Sequence, residues 1–158
     1  SLGNNIKDLE IRGKDDPSKD SLGDGVTAPG LVQDIHLIPG FWQIDGYTQV
    51  KTRLFAELTL EEGKNWFDYP YDWRRDNRVH GRQLGERAPR WLDAWKRASG
   101  NKDAKIVLLA HSMGGLVARD FLERHDGWKI TRNLVTFGTP YRGSINAVTT
   151  LRRVLDGR

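Results

Sequence analysis

The stretch from Lys105 to Arg119, KIVLLAHSMGGLVAR, constrains this chain more than any other. Ile106 to Leu109 is a continuous apolar run, β-branched at its start, as expected of a strand buried on both faces. Leu116, Val117, Phe121 and Leu122 recur at the helical period. A chain that passes from strand to helix this quickly must turn sharply, and Ser112 stands at the tip. The turn strains the backbone of the tip residue and brings the positions two before and two after it close together, where only small residues fit. Those positions hold Ala110 and Gly114. The following helix would aim its positive N-terminus at the serine hydroxyl, with the Met113 N–H unpaired and able to hold an oxyanion. Gly115 would let the helix pack closely on neighbouring strands. The plainer role for Ser112 is an N-cap at an ordinary helix start; the flanking strand and helix favour the strained turn.

Around this segment, short apolar runs alternate with amphipathic stretches. Ile35, Leu37 and Ile38, closed by Pro39-Gly40, predict a strand meeting a turn. Tyr47, Val50, Leu54 and Leu58 predict a helix. Trp66, Phe67, Tyr69 and Tyr71 predict an aromatic strand, which Pro70 limits or places near an edge. Leu84, Ala88, Trp91, Leu92 and Trp95 predict a helix ended by Ser99-Gly100. Gly127 suits a helix stop, Leu134 to Phe137 a second buried strand, and Ile145, Val148, Leu151 and Leu155 a final helix. Four strands alternating with four helices predict an α/β fold, a parallel sheet with helices on both faces. Four strands make a thin sheet, so the expected domain is incomplete. Residues 1–30, rich in Gly, Asp, Lys, Ser and Pro, predict an irregular polar lead-in; residues 31–158 carry the partial domain.

Composition excludes several classes. Hydrophobic residues at 37% and charged residues at 29% belong to a folded chain rather than a disordered one. No apolar run is long enough for a transmembrane segment. The absence of cysteine excludes disulfides and thiolate metal sites and leaves the compartment open. No metal-ligand cluster or phosphate-cradling glycine loop is present, so no cofactor or metal is expected. Between Arg74 and Arg97 stand eight basic residues against three acidic ones. This strip reads as a solvated helix face, with peripheral contact to an anionic lipid surface as the functional alternative. A nucleic-acid partner is not expected.

Four strings, in order along the chain, make the sequence resemble the lecithin:cholesterol acyltransferase family of α/β-hydrolases, a group of acyltransferases and phospholipases. They are Pro39-Gly40-Phe41, Tyr71-Asp72-Trp73-Arg74, Ala110-His111-Ser112-Met113-Gly114-Gly115 and Phe137-Gly138-Thr139-Pro140-Tyr141-Arg142-Gly143-Ser144. The resemblance spans about residues 31–155. It implies an α/β-hydrolase-like fold and a lipid or other acyl-ester substrate. Ser112 would be the nucleophile, and the backbone N–H groups of Met113 and Phe41 the oxyanion donors. Trp42, His111 and Tyr141 become candidates near the substrate. The Tyr71-Asp72-Trp73-Arg74 string reads as structural, an Asp–Arg pair bracketing a buried Trp.

The resemblance also requires an acid and then a histidine after the serine. The chain has four histidines, His36, His80, His111 and His125, and only His125 follows Ser112. It falls thirteen residues on, about 20 Å along the same helix at 1.5 Å per residue, out of reach of the hydroxyl. His111 adjoins the serine with its side chain directed elsewhere, a positioning role. Asp120, Asp126 and Asp156 do not follow further strands, where an orienting acid belongs. The chain opens on Ser1 and its one methionine is Met113. The expectation is therefore a piece of a longer polypeptide, inactive alone, with the acid and histidine beyond Arg158. The rival from another class is a non-catalytic interaction module that kept the elbow and lost the triad.

Overall fold

Asp76 begins the longest helix by turning its carboxylate back onto the chain, accepting a hydrogen bond from the Arg78 N–H at 2.9 Å. Helix α2 then runs over Asn77–Ser99, through Pro89, and ends at Gly100. That residue is left-handed at φ 72°, with its N–H bonded to the Lys96 carbonyl. The structure, a computed structural model, describes residues 10–11, 15–31, 47–145, 147–149 and 152. The strand expected at residues 35–38, with Phe41 and Trp42, lies outside the described residues.

Helix α1 spans Tyr47–Glu57, as the periodicity predicted. Strand β1 is Ile106–His111, helix α3 Gly114–Arg124, the short helix α4 Gly127–Ile130, and strand β2 Thr131–Phe137. The two strands pair in parallel, Leu109 beside Val135 and His111 beside Phe137. Helices α3 and α4 make the crossover that a parallel pair requires. Residues 145, 147–149 and 152 are helical, where the final helix was expected.

The chain is thus a mixed α/β structure, and several expectations are corrected among the described residues. The sheet of the described residues has two strands, the strand expected at 35–38 lying outside them. Residues 66–71 are not a strand: one isolated bridge joins Glu62 and Trp66. The aromatic side chains there pack one by one, Phe67 flat on Trp91 with ring centroids 4.7 Å apart and Tyr69 edge-on to the same indole. Aromatic richness reports burial against α2 as readily as it reports strand pairing. Nor are the strands buried on both faces. Ile106 and Leu108 pack against the core of Leu84, Ala88 and Phe121, while Val107, Leu109, Val135 and Phe137 on the opposite face are exposed. Gly127 opens α4 rather than stopping α3, which ends at Arg124 with His125 as its cap.

The lead-in also departs from its expectation. Residues 15–24 lie against the basic end of α2 in a strap of ion pairs. Asp15 accepts from Nε and Nη2 of the buried Arg75 and from the Asp76 N–H. The Asp16 and Lys19 carbonyls also accept from Arg75 Nη2. Asp20 pairs with Arg82 and Asp24 with Arg74, at 2.8 and 2.9 Å. Much of the basic strip is therefore turned toward the protein's own carboxylates. Burial pushes the Asp15 carboxyl upward, but hydrogen bonds from Arg75 and the Asp76 amide outweigh it and hold the group below the usual aspartate value. A depressed folded value means that this stabilisation is complete above the unfolded value and is lost as pH falls through the folded one. Acidification below about pH 4 is therefore expected to release residues 15–24 before α2 unfolds. Amide hydrogen exchange should show the strap losing protection first, and Asp15→Asn should loosen it at neutral pH.

Candidate functional site

The carboxyl end of β1 carries the expected turn. Ser112 has φ 50°, the left-handed region that side-chain-bearing residues rarely adopt, and Met113 follows at φ −58° and ψ −27°. The Ser112 N–H donates to the Phe137 carbonyl at 2.8 Å, tying the turn to the end of β2. The Ser112 carbonyl accepts from the Gly115 N–H at 3.1 Å and so starts α3. Ser112 is half-buried, and its side chain does not cap the helix it precedes. Among the described residues the Met113 and Gly114 N–H groups make no hydrogen bond. Two donors at a helix N-terminus thus stand beside the serine.

Gly114 departs from its expectation, while Gly115 is a point of close packing, against the loop after β2 rather than a strand. A Cβ on Gly114 would meet the Tyr71 hydroxyl at 3.6 Å and the Ala110 Cβ at 3.9 Å, ordinary contact. A Cβ on Gly115 would stand 2.1 Å from Thr139 Oγ1 and 2.6 Å from its Cγ2, a collision. The close approach is at Gly115, where α3 meets the loop after β2. Gly115→Ala is expected to destabilise the fold by about 1–3 kcal/mol. Gly114→Ala should be neutral or stabilising by up to about 1 kcal/mol, as alanine favours helix. Paired urea titrations check the difference.

His111 is the last residue of β1. Its Nδ1 shares a hydrogen bond of 2.9 Å with the Tyr47 hydroxyl, and the rings meet edge-on at 5.6 Å. Burial pulls the His111 imidazole below its usual value and pushes the Tyr47 hydroxyl up. Tyr47 also borders a cleft of about 500 Å³ that Lys51 and Phe55 help to line. His125 caps α3 and pairs through Nε2 with Asp120 at 3.1 Å, in keeping with its exclusion as a base. The buried His80 holds the Asp72 carbonyl at 2.8 Å. Tyr141 lies in the loop after β2, partly exposed, with the Arg119 guanidinium over its ring at 5.9 Å. Phe41 and Trp42 lie outside the described residues.

In the Tyr71–Arg74 loop the Asp–Arg pair is present, Arg74 donating to both Asp72 oxygens at 2.8 and 2.6 Å. Trp73 between them is 57% exposed, so it is not the buried residue expected. The pair closes through a tight turn that leaves the intervening side chain outside. Sequence reasoning missed two residues here. Tyr47 was read as one position of a helical stripe, and nothing local signalled that it would reach His111. Tyr71 was assigned to a structural loop, yet its hydroxyl faces Gly114; burial pushes that hydroxyl up to about 12, so it stays a donor at neutral pH.

Comparison with known proteins bears on this arrangement. The family model for lecithin:cholesterol acyltransferase matches residues 42–153. Lecithin-cholesterol acyltransferase-like 4 of Arabidopsis thaliana is 34% identical over 92 residues, covering 57% of this chain and 16% of the relative. Phospholipase A(1) LCAT3 of the same plant is 33% identical over 86 residues, covering 53% of this chain and 18% of the relative. The chain therefore spans less than a fifth of the length of either relative. No solved structure matches it.

Proposed function

This chain belongs to the lecithin:cholesterol acyltransferase family, and from that premise we propose that Ser112 is the nucleophile of an enzyme that moves acyl groups out of lipid esters. One observation carries the reading: a serine at φ 50° between the carboxyl end of a parallel strand and a helix N-terminus whose first amides are unpaired among the described residues. The names of the two Arabidopsis relatives, an acyltransferase-like protein and a phospholipase, support the substrate class.

In the proposed reaction Ser112 Oγ attacks the ester carbonyl carbon as its proton passes to a general base. Negative charge develops on the carbonyl oxygen, where the Met113 amide donates at the positive end of α3 and the Phe41 amide supplies a second hydrogen bond. Collapse breaks the ester C–O bond, and the leaving alcohol takes the proton from the base. The acyl group then passes from Ser112 to water or to an alcohol, giving hydrolysis or transfer. An unassisted hydroxyl is a weak nucleophile at neutral pH. Among the described residues no histidine or carboxylate bonds to Ser112, and in this reading the base and its orienting acid stand later in the polypeptide, which leaves the 158 residues alone inactive. Residues 31–158 form part of an α/β-hydrolase domain. The exposed Val107, Leu109, Val135 and Phe137 suit a sheet that is covered on its second face.

The test is covalent. A fluorophosphonate incubated with the full polypeptide carrying this chain should attach to Ser112, located by peptide mass spectrometry. Attachment at another residue, or none, overturns the reading, and none favours the non-catalytic interaction module. Where labelling succeeds, the products formed from a phospholipid with and without an added alcohol separate hydrolysis from transfer.

A further inference from the structure

A side-chain-bearing residue in the left-handed region persists only where its surroundings over-determine it. Ser112 is held from two sides by backbone bonds, its N–H to Phe137 and its carbonyl to Gly115. A third restraint acts through the residue before it. His111 ends β1, and its imidazole is gripped by a hydroxyl 64 residues away in sequence, on a helix that precedes the strand. The grip has two parts, the 2.9 Å hydrogen bond at Nδ1 and the edge-on ring contact at 5.6 Å. Together they hold the ring at Tyr47.

We infer that Tyr47 is a positioning residue for the proposed reaction: by clasping His111 through Nδ1 it holds the end of β1, and so keeps the Ser112 hydroxyl aimed out of the turn. The inference rests on the serine reading and adds to it a residue that touches neither substrate nor nucleophile. With Nδ1 engaged by Tyr47, the imidazole makes no hydrogen bond to Ser112 among the described residues, and the hydroxyl stays available to the base that must take its proton. Loss of the clasp frees the ring, and the left-handed turn then depends on the two backbone bonds alone.

Tyr47→Phe removes the hydroxyl and keeps the ring. Fluorophosphonate labelling of Ser112 in the full polypeptide is expected to slow by roughly 5- to 20-fold, the effect of one lost hydrogen bond. The loss should fall on the maximal labelling rate and leave the half-saturating probe concentration unchanged. The ¹⁵N imidazole resonances of His111 should move at the same time, which a general loosening of α1 would not produce at that one ring. His111→Gln, whose side-chain amide can still meet the Tyr47 hydroxyl, should retain part of the rate. The double variant should be no slower than Tyr47→Phe alone, because both changes act on one link, which Tyr47→Phe already breaks. A labelling rate within twofold of the parent in Tyr47→Phe, with the His111 resonances displaced, overturns this inference and leaves the serine reading standing. A parent polypeptide that takes no label overturns both.

Discussion

Replacing Ser112 by alanine is expected to lower acyl transfer by the full polypeptide about 10⁴- to 10⁶-fold, the scale on which loss of a serine nucleophile is felt. On the proposed mechanism the fall should appear in kcat, since there the hydroxyl forms the bond that defines the acyl-enzyme and contributes little to ground-state binding. Ser112→Gly makes the complementary case. Glycine enters the left-handed region without a Cβ penalty, so this variant should be equally inert yet more stable, by up to about 1 kcal/mol. Strain concentrated at the nucleophile would then be measurable as stability gained when the nucleophile is discarded. Phospholipid turnover followed by released fatty acid, with urea unfolding of the same samples, checks both halves. More than a tenth of the parent rate in Ser112→Ala would end the assignment.

The largest stability effect is expected at Phe121. Its side chain is fully buried among Leu84, Ala88 and the inner face of β1, where α2, α3 and the sheet meet. Two glycines shape its pocket. A Cβ on Gly127 would stand 2.6 Å from the ring, and one on Gly85 would meet it at 3.8 Å. Phe121→Ala would leave a void beside backbone that carries no side chain to move in. The site therefore collapses poorly, and the cost should lie at about 3–5 kcal/mol. For a domain stable by about 5–15 kcal/mol that is a large share of the total. The urea midpoint should fall with the slope unchanged. A loss under about 1.5 kcal/mol would show that the α2–α3 junction repacks, contrary to the geometry drawn from its glycines.

How much of this was legible follows from the range over which each feature is encoded. Helices α1 and α2 could be read because their apolar residues recur at 3.6 and because Gly100 ends α2 where a left-handed cap is needed. The elbow was legible for the same reason: Ile106 to Arg119 contains the strand, the tip and the helix in one unbroken span. The aromatic run at 66–71 misled because the bulk that suits a pleated strand also suits a pocket on a helix, and Trp91, which decides between them, lies twenty residues beyond Tyr71. The spacing around Ser112 pointed to both Gly114 and Gly115 as close positions. Only Gly115 is tight, and its neighbour is Thr139 in the loop after β2 rather than a strand.

By itself the sequence determined what local hydrogen bonding and side-chain periodicity can specify: where the longer helices run, where α2 stops, and that a serine sits where a strand becomes a helix. Only the tertiary structure decided that Asp15 would clamp Arg75 across sixty residues and that Tyr47 would reach His111. The physical reason is that a charge or a hydroxyl carries no mark of its distant partner. Carboxylates and guanidiniums are interchangeable along a sequence, and which pairs form depends on where folding brings the chain back on itself.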